Sequence, residues 1–83
     1  MNRPDIIARI LDRVQYISGG AAETIALNKP LLGQGRKVTQ IDSIAITEIM
    51  MAIEEEFGID EELIPGDDWS INSIADLIEA RGA

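Results

Sequence analysis

The sequence predicts an all-α fold, a bundle of three long helices and one short helix with a long loop between the first and second helices. Apolar residues recur at three- and four-residue steps in the stretches 4–18, 42–57 and 70–81, the spacing that puts them on one face of a helix. Glycine and proline punctuate the chain between these stretches. We expect one domain, 1–83, with an aliphatic core, because the chain has only one Trp, one Tyr and one Phe.

The first helix is predicted from an apolar stripe that starts after Pro4. Proline suits the first helical position and restricts the residue before it, so we expect Arg3 to lie outside the helix. Asp5 complements the helix dipole in the first turn, and Gly19-Gly20 ends the helix. The predicted inward face consists of Ile6, Ile7, Ile10, Leu11, Val14 and Ile17.

The connection from Ser18 to Ile41 is long for a compact domain, and such loops are usually functional or partly structured. Residues 21–27 are compatible with one or two helical turns. The stretch Gly33-Gln-Gly35-Arg36-Lys37 does not qualify as a phosphate-binding loop, because it lacks the preceding strand and the Gly-Lys-Ser/Thr ending. We expect the apolar side chains of this segment to cover the bundle: Ile25, Leu27, Leu31, Leu32 and Val38.

The second helix, Asp42 to Phe57, is the element around which we expect the rest of the chain to pack. Its inward face is Ile46, Ile49, Met50, Ile53 and Phe57, and Gly58 can end it in the left-handed conformation. Exposed apolar residues are ordinary when scattered singly, but an apolar centre with an acidic rim suits transient docking of a partner. The outer face has that character and consists of Ile44, Thr47, Glu48, Met51 and Glu55.

The start of this helix holds a serine whose role has two interpretations. Serine at a helix start is usually the N-cap, worth about 1 kcal/mol. Asp42 can serve as the cap instead, which leaves Ser43 at the first helical position with its hydroxyl outward. There the hydroxyl stands among unpaired backbone N–H groups, a place that favours phosphate.

The remainder of the chain predicts a short helix or turn at 59–64 and a last helix. Pro65-Gly66 ends the short segment, whose Ile59, Leu63 and Ile64 fill the bundle. We expect Trp69 to close one end of the core. Acidic residues here lack the spacing of a calcium loop, and we interpret Glu54–Glu56 as a solvated face, not a metal site. Ser70 caps the last helix, Gly82 ends it, and its inward face is Ile71, Ile74, Ala75 and Ile78.

Composition excludes several classes of function. The chain has no cysteine and no histidine, which removes disulfides, thiolate or imidazole metal sites and the commonest general base. We therefore expect neither an enzyme nor a metalloprotein. No apolar run approaches the roughly 18 residues of a membrane span, and no signal-peptide segment follows the first residues, so we expect a cytoplasmic protein.

The net charge of −8 is distributed unevenly. Residues 1–41 carry six Lys and Arg against three Asp and Glu, whereas residues 42–83 carry one basic residue against twelve acidic ones. An acidic surface repels nucleic acid and anionic membrane and attracts basic protein surfaces. We expect protein partners, no nucleic acid and no membrane.

Asp42-Ser43-Ile44, opening an acidic helix that ends in Glu-Glu-Glu-Phe, resembles the acyl carrier protein family. The resemblance is dense from Leu31 to about Ile78. It implies a monomeric carrier whose Ser43 bears 4′-phosphopantetheine, with Asp42 beside the attachment point. It also implies that partner enzymes dock on the outer face of the second helix: a phosphopantetheinyl transferase, an acyl- or aminoacyl-loading ligase, and downstream synthases or transferases.

The sequence differs from the common fatty-acid carriers at several positions, and these differences bear on which partners and which cargo we expect. The first loop is several residues longer, and Arg36 and Lys37 replace the usual acidity ahead of the serine. Ala45 and Thr47 make the docking face less charged and less apolar. An Asp-Trp pair before the last helix also occurs in specialised carriers such as those for D-alanine. Fatty acyl, polyketide and aminoacyl cargo all stay open, with a preference for a specialised discrete carrier.

Two hypotheses therefore follow from the sequence. In the first, the chain holds biosynthetic intermediates as thioesters on an arm attached to Ser43. In the second, the chain is an unmodified helical adaptor of the same fold that acts only through protein–protein interaction, with Ser43 as a cap.

Overall fold

A computed structural model of the chain describes residues 2–18, 25–34, 41–60, 63, 66 and 68–81. This part contains three helices and no strand: α1 (Arg3–Ser18), α2 (Ser43–Phe57) and α3 (Ile71–Ala80). The predicted all-helical class is confirmed. Within the described residues, no helix has both the length and the apolar character needed to cross a membrane.

The predicted short helix at 59–64 is not confirmed. Ile59, Asp60 and Leu63 are described and are not helical, and residues 61, 62 and 64 lie outside the described part of the chain. Leu63 is nevertheless buried and Ile59 is half-buried against the core, as the sequence predicts. Of the helical turns predicted at 21–27, residues 25–27 are described and are not helical, and residues 21–24 lie outside the described part of the chain. The glycines at 19 and 20, Pro65 and Gly82 also lie outside it.

Helix α1 begins one residue earlier than predicted, because Asn2 caps it. The Asn2 side chain accepts a hydrogen bond from the Asp5 N–H at 3.0 Å, and its carbonyl accepts from the Ile6 N–H at 3.1 Å. Arg3 is therefore helical, and the expectation that it lies outside the helix is wrong. Pro4 becomes the second helical residue, where its missing N–H costs nothing since the first-turn amides have no intrahelical partner.

Helix α1, and not α2, occupies the centre of the bundle. It packs against both α2 and α3, whereas these two barely approach one another. Arg3 pairs with Asp76 and Glu79 of α3 at 2.7 and 2.8 Å. Two further arginines of α1 pair with α2, as described below. Among the described helices, the expectation that the others pack around 42–57 is therefore wrong, because the apolar stripe of α1 is wide enough to contact two neighbours.

The core is aliphatic, and the predicted inward faces are confirmed for α3 and, apart from Phe57, for α2. In α1, Ile6, Ile10 and Val14 are buried, whereas Ile7, Leu11 and Ile17 are only partly buried. Phe57 is only half-buried, and Ile41, which was not predicted, is 1% exposed. In the long connection Ile25 and Leu31 are buried, but Leu27 and Leu32 are exposed; Val38 lies outside the described residues. The fully buried helical side chains include Ile6, Ile10, Val14, Ile49, Ile53, Ile71, Ile74 and Ile78.

Trp69 is partly buried and packs against the core from the segment before α3. The backbone N–H of Trp69 donates to the Gly66 carbonyl at 3.2 Å. A side-chain carbon at Gly66 would lie 3.0 Å from two atoms of the indole ring, which is closer than ordinary packing allows. The close approach of backbone to ring explains a glycine at this position.

Candidate functional site

The first turn of α2 is capped by Asp42, and not by Ser43. Asp42 has extended backbone angles (φ −102°, ψ −177°), and its carboxylate accepts from the Ala45 N–H at 2.8 Å. Its carbonyl accepts the first intrahelical bond, from the Ile46 N–H at 3.0 Å. Asp42 thus holds the cap position, and Ser43 is the first helical residue.

Ser43 is exposed, and its hydroxyl makes no hydrogen bond with the part of the chain that the structure describes. The backbone N–H groups of Ser43 and Ile44 also lack partners among the described residues, since Asp42 satisfies only the next amide. A free hydroxyl beside two unpaired amides at the positive end of a helix is an arrangement that accommodates a phosphate.

The position of this turn is fixed from the N-terminal side by Ile41. Ile41 and Ile46 are both buried and occupy the two positions that flank an N-cap as a hydrophobic staple. The backbone of Ile41 pairs with the preceding loop: its carbonyl accepts from the Gly33 N–H and its N–H donates to the Gln34 carbonyl, both at 2.8 Å. Sequence reasoning missed this pair.

Gly33 makes the pairing possible through its backbone conformation. The Gln34 N–H donates to the Leu31 carbonyl at 3.0 Å, closing a four-residue turn whose third residue, Gly33, has φ +87°. A positive φ at that position is characteristic of a type II turn and favours glycine. Leu32 occupies the second position of the turn, which explains why it projects into solvent and not over the bundle.

The five residues predicted as the docking face are all exposed on one side of α2. Ile44 is 70% and Met51 64% exposed, although both side chains are large and apolar. The Thr47 hydroxyl donates to the Ser43 carbonyl at 3.0 Å, so the methyl group of Thr47 is the part of its side chain left for apolar contact. The full face is Ile44, Thr47, Glu48, Met51 and Glu55, all exposed.

The acidic run at the end of α2 is not a uniform solvated face, so this expectation is wrong for two of its three residues. Glu54 is half-buried and accepts from the Leu63 N–H at 2.9 Å. Glu56 is half-buried and accepts from Arg9 at 3.2 Å and from Arg13 at 2.9 Å. Only Glu55 is exposed.

These contacts bind α2 to its neighbours and do not form a metal site. The hydrogen bond from Arg13 is the main cause that lowers the pKa of Glu56, and the same bond raises the pKa of Arg13. Within the described residues, no group of acidic side chains converges as metal ligands would. The Glu56 carboxylate instead pairs with Arg9 and Arg13 across the α1–α2 interface.

A groove of about 310 Å³ lies beside the docking face, lined by Arg13, Ala52, Glu55 and Glu56. Its lining is mainly charged, which suits a polar group of a partner and not an acyl chain. The sequence offered no signal for it, because the two helices that form it are brought together only by the fold.

Comparison with known proteins adds no relative. No family model matches the chain, and neither the curated proteins nor the solved structures include a significantly similar one.

Proposed function

We propose that this chain is a discrete acyl or aminoacyl carrier protein with an acyl-carrier-type bundle, modified on Ser43 with 4′-phosphopantetheine. The observation that carries the proposal is the exposed Ser43 hydroxyl at the first position of α2, released from capping by Asp42.

The residues present fit the attachment chemistry. In the transfer, the Ser43 oxygen bonds to the phosphorus of the pantetheine phosphate of coenzyme A, the phosphoanhydride bond breaks, and adenosine 3′,5′-diphosphate leaves with its electron pair. The hydroxyl proton passes to a base that the transferase supplies. The unpaired N–H groups of Ser43 and Ile44 would be available to donate to the phosphodiester oxygens.

When bound, the arm supplies a thiol that carries the cargo as a thioester. The role of this chain is then to hold and present, and it catalyses nothing itself. Tethering raises the effective concentration of the cargo at each partner's active site. Fatty acyl, polyketide and aminoacyl groups are all compatible with this role, and the departures near Ser43 favour a specialised pathway.

The outer face of α2 is the proposed docking surface for the transferase, the loading ligase and the downstream synthase or transferase. Ile44 and Met51 provide an exposed apolar centre, and Glu48 and Glu55 provide an acidic rim next to it. Apolar area favours binding, while surface charge accelerates and orients the encounter, which suits short-lived complexes.

An unmodified adaptor is the second candidate, and the exposure of Ile44 and Met51 favours it equally, because an adaptor also needs an apolar docking face. The two candidates differ only in the serine. A carrier loses all function when the Ser43 hydroxyl is removed, whereas an adaptor keeps its partner binding.

Intact mass spectrometry after incubation with coenzyme A and a broad-specificity phosphopantetheinyl transferase tests the proposal. We expect wild type to gain one phosphopantetheine and the Ser43→Ala variant to gain none. Ser70→Ala is the matched control, since Ser70 also stands at a helix start but is buried and caps α3 through the Ser73 N–H at 3.1 Å. It should be modified like wild type. No gain on wild type would refute the carrier and leave the adaptor.

A further inference from the structure

The side chain of Gln34 makes four hydrogen bonds with the backbone of residues 26–30. Its side-chain oxygen accepts from the Ala26 N–H at 2.7 Å. Its side-chain nitrogen donates toward three carbonyls, those of Ala26 at 3.2 Å, Lys29 at 3.0 Å and Pro30 at 2.9 Å. The amide therefore pairs with both backbone groups of Ala26 and gathers residues 26–30 around one side chain.

The backbone of the same residue holds the chain that enters α2. The Gln34 carbonyl accepts from the Ile41 N–H, and the neighbouring Gly33 N–H donates to the Ile41 carbonyl, both at 2.8 Å. Ile41 is buried and immediately precedes the cap residue Asp42. The contacts that hold Gln34 in position therefore also hold the first turn of α2 in position.

The segment that Gln34 gathers is itself bonded to the start of α3. The Leu31 N–H donates to the Trp69 carbonyl at 2.8 Å, and the Asn72 N–H donates to the Leu27 carbonyl at 3.0 Å. A continuous set of hydrogen bonds thus runs from the start of α3, through residues 26–31 and Gln34, to Ile41 and the turn that presents Ser43.

We propose that Gln34 is a positioning residue for Ser43, holding the first turn of α2 in register with the start of α3 so that the hydroxyl and its neighbouring amides meet a transferase in one orientation. This inference rests on the proposed function. Only a primary amide of this length both accepts from and donates to the Ala26 backbone, because a carboxylate cannot donate and would face three carbonyl oxygens.

The test compares the specificity constant for phosphopantetheine transfer in wild type, Gln34→Ala and the length-conserving Gln34→Met, at a temperature where circular dichroism shows each to be folded. We expect both variants to lose roughly tenfold to a hundredfold in kcat/KM, since misplacing a reacting group by about 1 Å costs rate on that scale. Ile10→Val, which removes a buried methylene from α1, controls for lost stability and should be modified at the wild-type rate.

Amide hydrogen exchange supplies a readout that does not depend on modification. We expect the Ile41 and Gly33 amides to exchange at least about tenfold faster in Gln34→Ala, with the Ile10 and Ile74 amides unchanged. If wild type is not modified, the proposed function fails, and exchange alone decides whether Gln34 positions the turn.

Wild-type transfer rates in folded Gln34 variants would overturn the proposal, as would unchanged exchange at Ile41. Global unfolding of both variants would also overturn it, because Gln34 would then be a determinant of the whole fold and not of the turn that carries Ser43.

Discussion

Two adjacent substitutions at the start of α2 should differ sharply in their effect on stability. Asp42→Ala removes the 2.8 Å hydrogen bond to the Ala45 N–H and leaves that amide unpaired, so we expect a loss of about 1 kcal/mol in the free energy of unfolding. Ser43→Ala removes no hydrogen bond among the described residues, so we expect a change within about 0.5 kcal/mol. Asp42→Asn keeps the acceptor and should stay close to wild type.

Urea unfolding at neutral pH measures these differences. The helical circular dichroism signal and the fluorescence of Trp69, which packs against the core, should give coincident transitions in a domain of this size. A loss of about 1 kcal/mol should also lower the melting temperature by about 4–8 °C. The slope with denaturant should be the same in all four proteins, because none of the changes alters the surface exposed on unfolding.

An equal loss of unfolding free energy in Ser43→Ala and Asp42→Ala would contradict this expectation. Ser43 would then share the cap, and its hydroxyl would not be available without loss to the helix. The expectation is also refuted if Asp42→Asn is as unstable as Asp42→Ala, because the effect would then come from charge and not from the capping bond. If Ser43→Ala is as stable as wild type, a failure to modify this variant cannot be attributed to unfolding, and the variant is a suitable negative control for the modification experiment.

Three further outcomes follow from the structure. Because Arg13 lowers the pKa of Glu56 below its usual 4.5, the pair stabilises the fold above about pH 4.5, and this stabilisation disappears as the pH falls through the lowered pKa. The gap in urea midpoint between wild type and Glu56→Gln should therefore be larger at pH 7 than at pH 3; an equal gap would contradict the pairing. Gly66→Ala should destabilise by about 1–3 kcal/mol and shift the emission of Trp69, since the added carbon lies 3.0 Å from the indole; a wild-type melting temperature and spectrum would contradict this. Met51→Ala should leave stability within about 0.5 kcal/mol, because the side chain is 64% exposed, but should slow phosphopantetheine transfer; an unchanged rate would remove Met51 from the docking face.

The helices and their buried faces could be predicted because they depend on local spacing. Residues spaced like Ile6, Ile10 and Val14 lie on one face of a helix and are buried together, and all three are completely buried in the structure. The cap was equally local, since Asp42 and the Ala45 amide are three residues apart. Leu27 was predicted wrongly because burial in a loop is decided by distant partners, here the Asn72 amide that bonds its carbonyl.

What the sequence could not reveal depends on contacts between residues far apart in the chain. Glu56 meets Arg9 and Arg13 across more than forty positions, so the acidic run looked uniformly solvated until α1 was in place. Gln34 gave no signal either, because a glutamine between two glycines is an ordinary loop residue. Its importance comes from the backbone groups that the fold brings around its amide.

The division of roles between Asp42 and Ser43 bears directly on the proposed modification. A serine that capped its own helix would have its acceptor oxygen converted into an ester oxygen, so each cycle of modification would change a capping bond worth about 1 kcal/mol. Here the carboxylate of Asp42 holds the Ala45 amide, while the amides of Ser43 and Ile44 have no partner in the described chain. Esterifying Ser43 would therefore break no hydrogen bond of the described fold and would bring a phosphate to the unsatisfied end of the helix dipole. For a carrier that must serve with and without its arm, this arrangement separates the stability of the first turn from the chemistry of the serine.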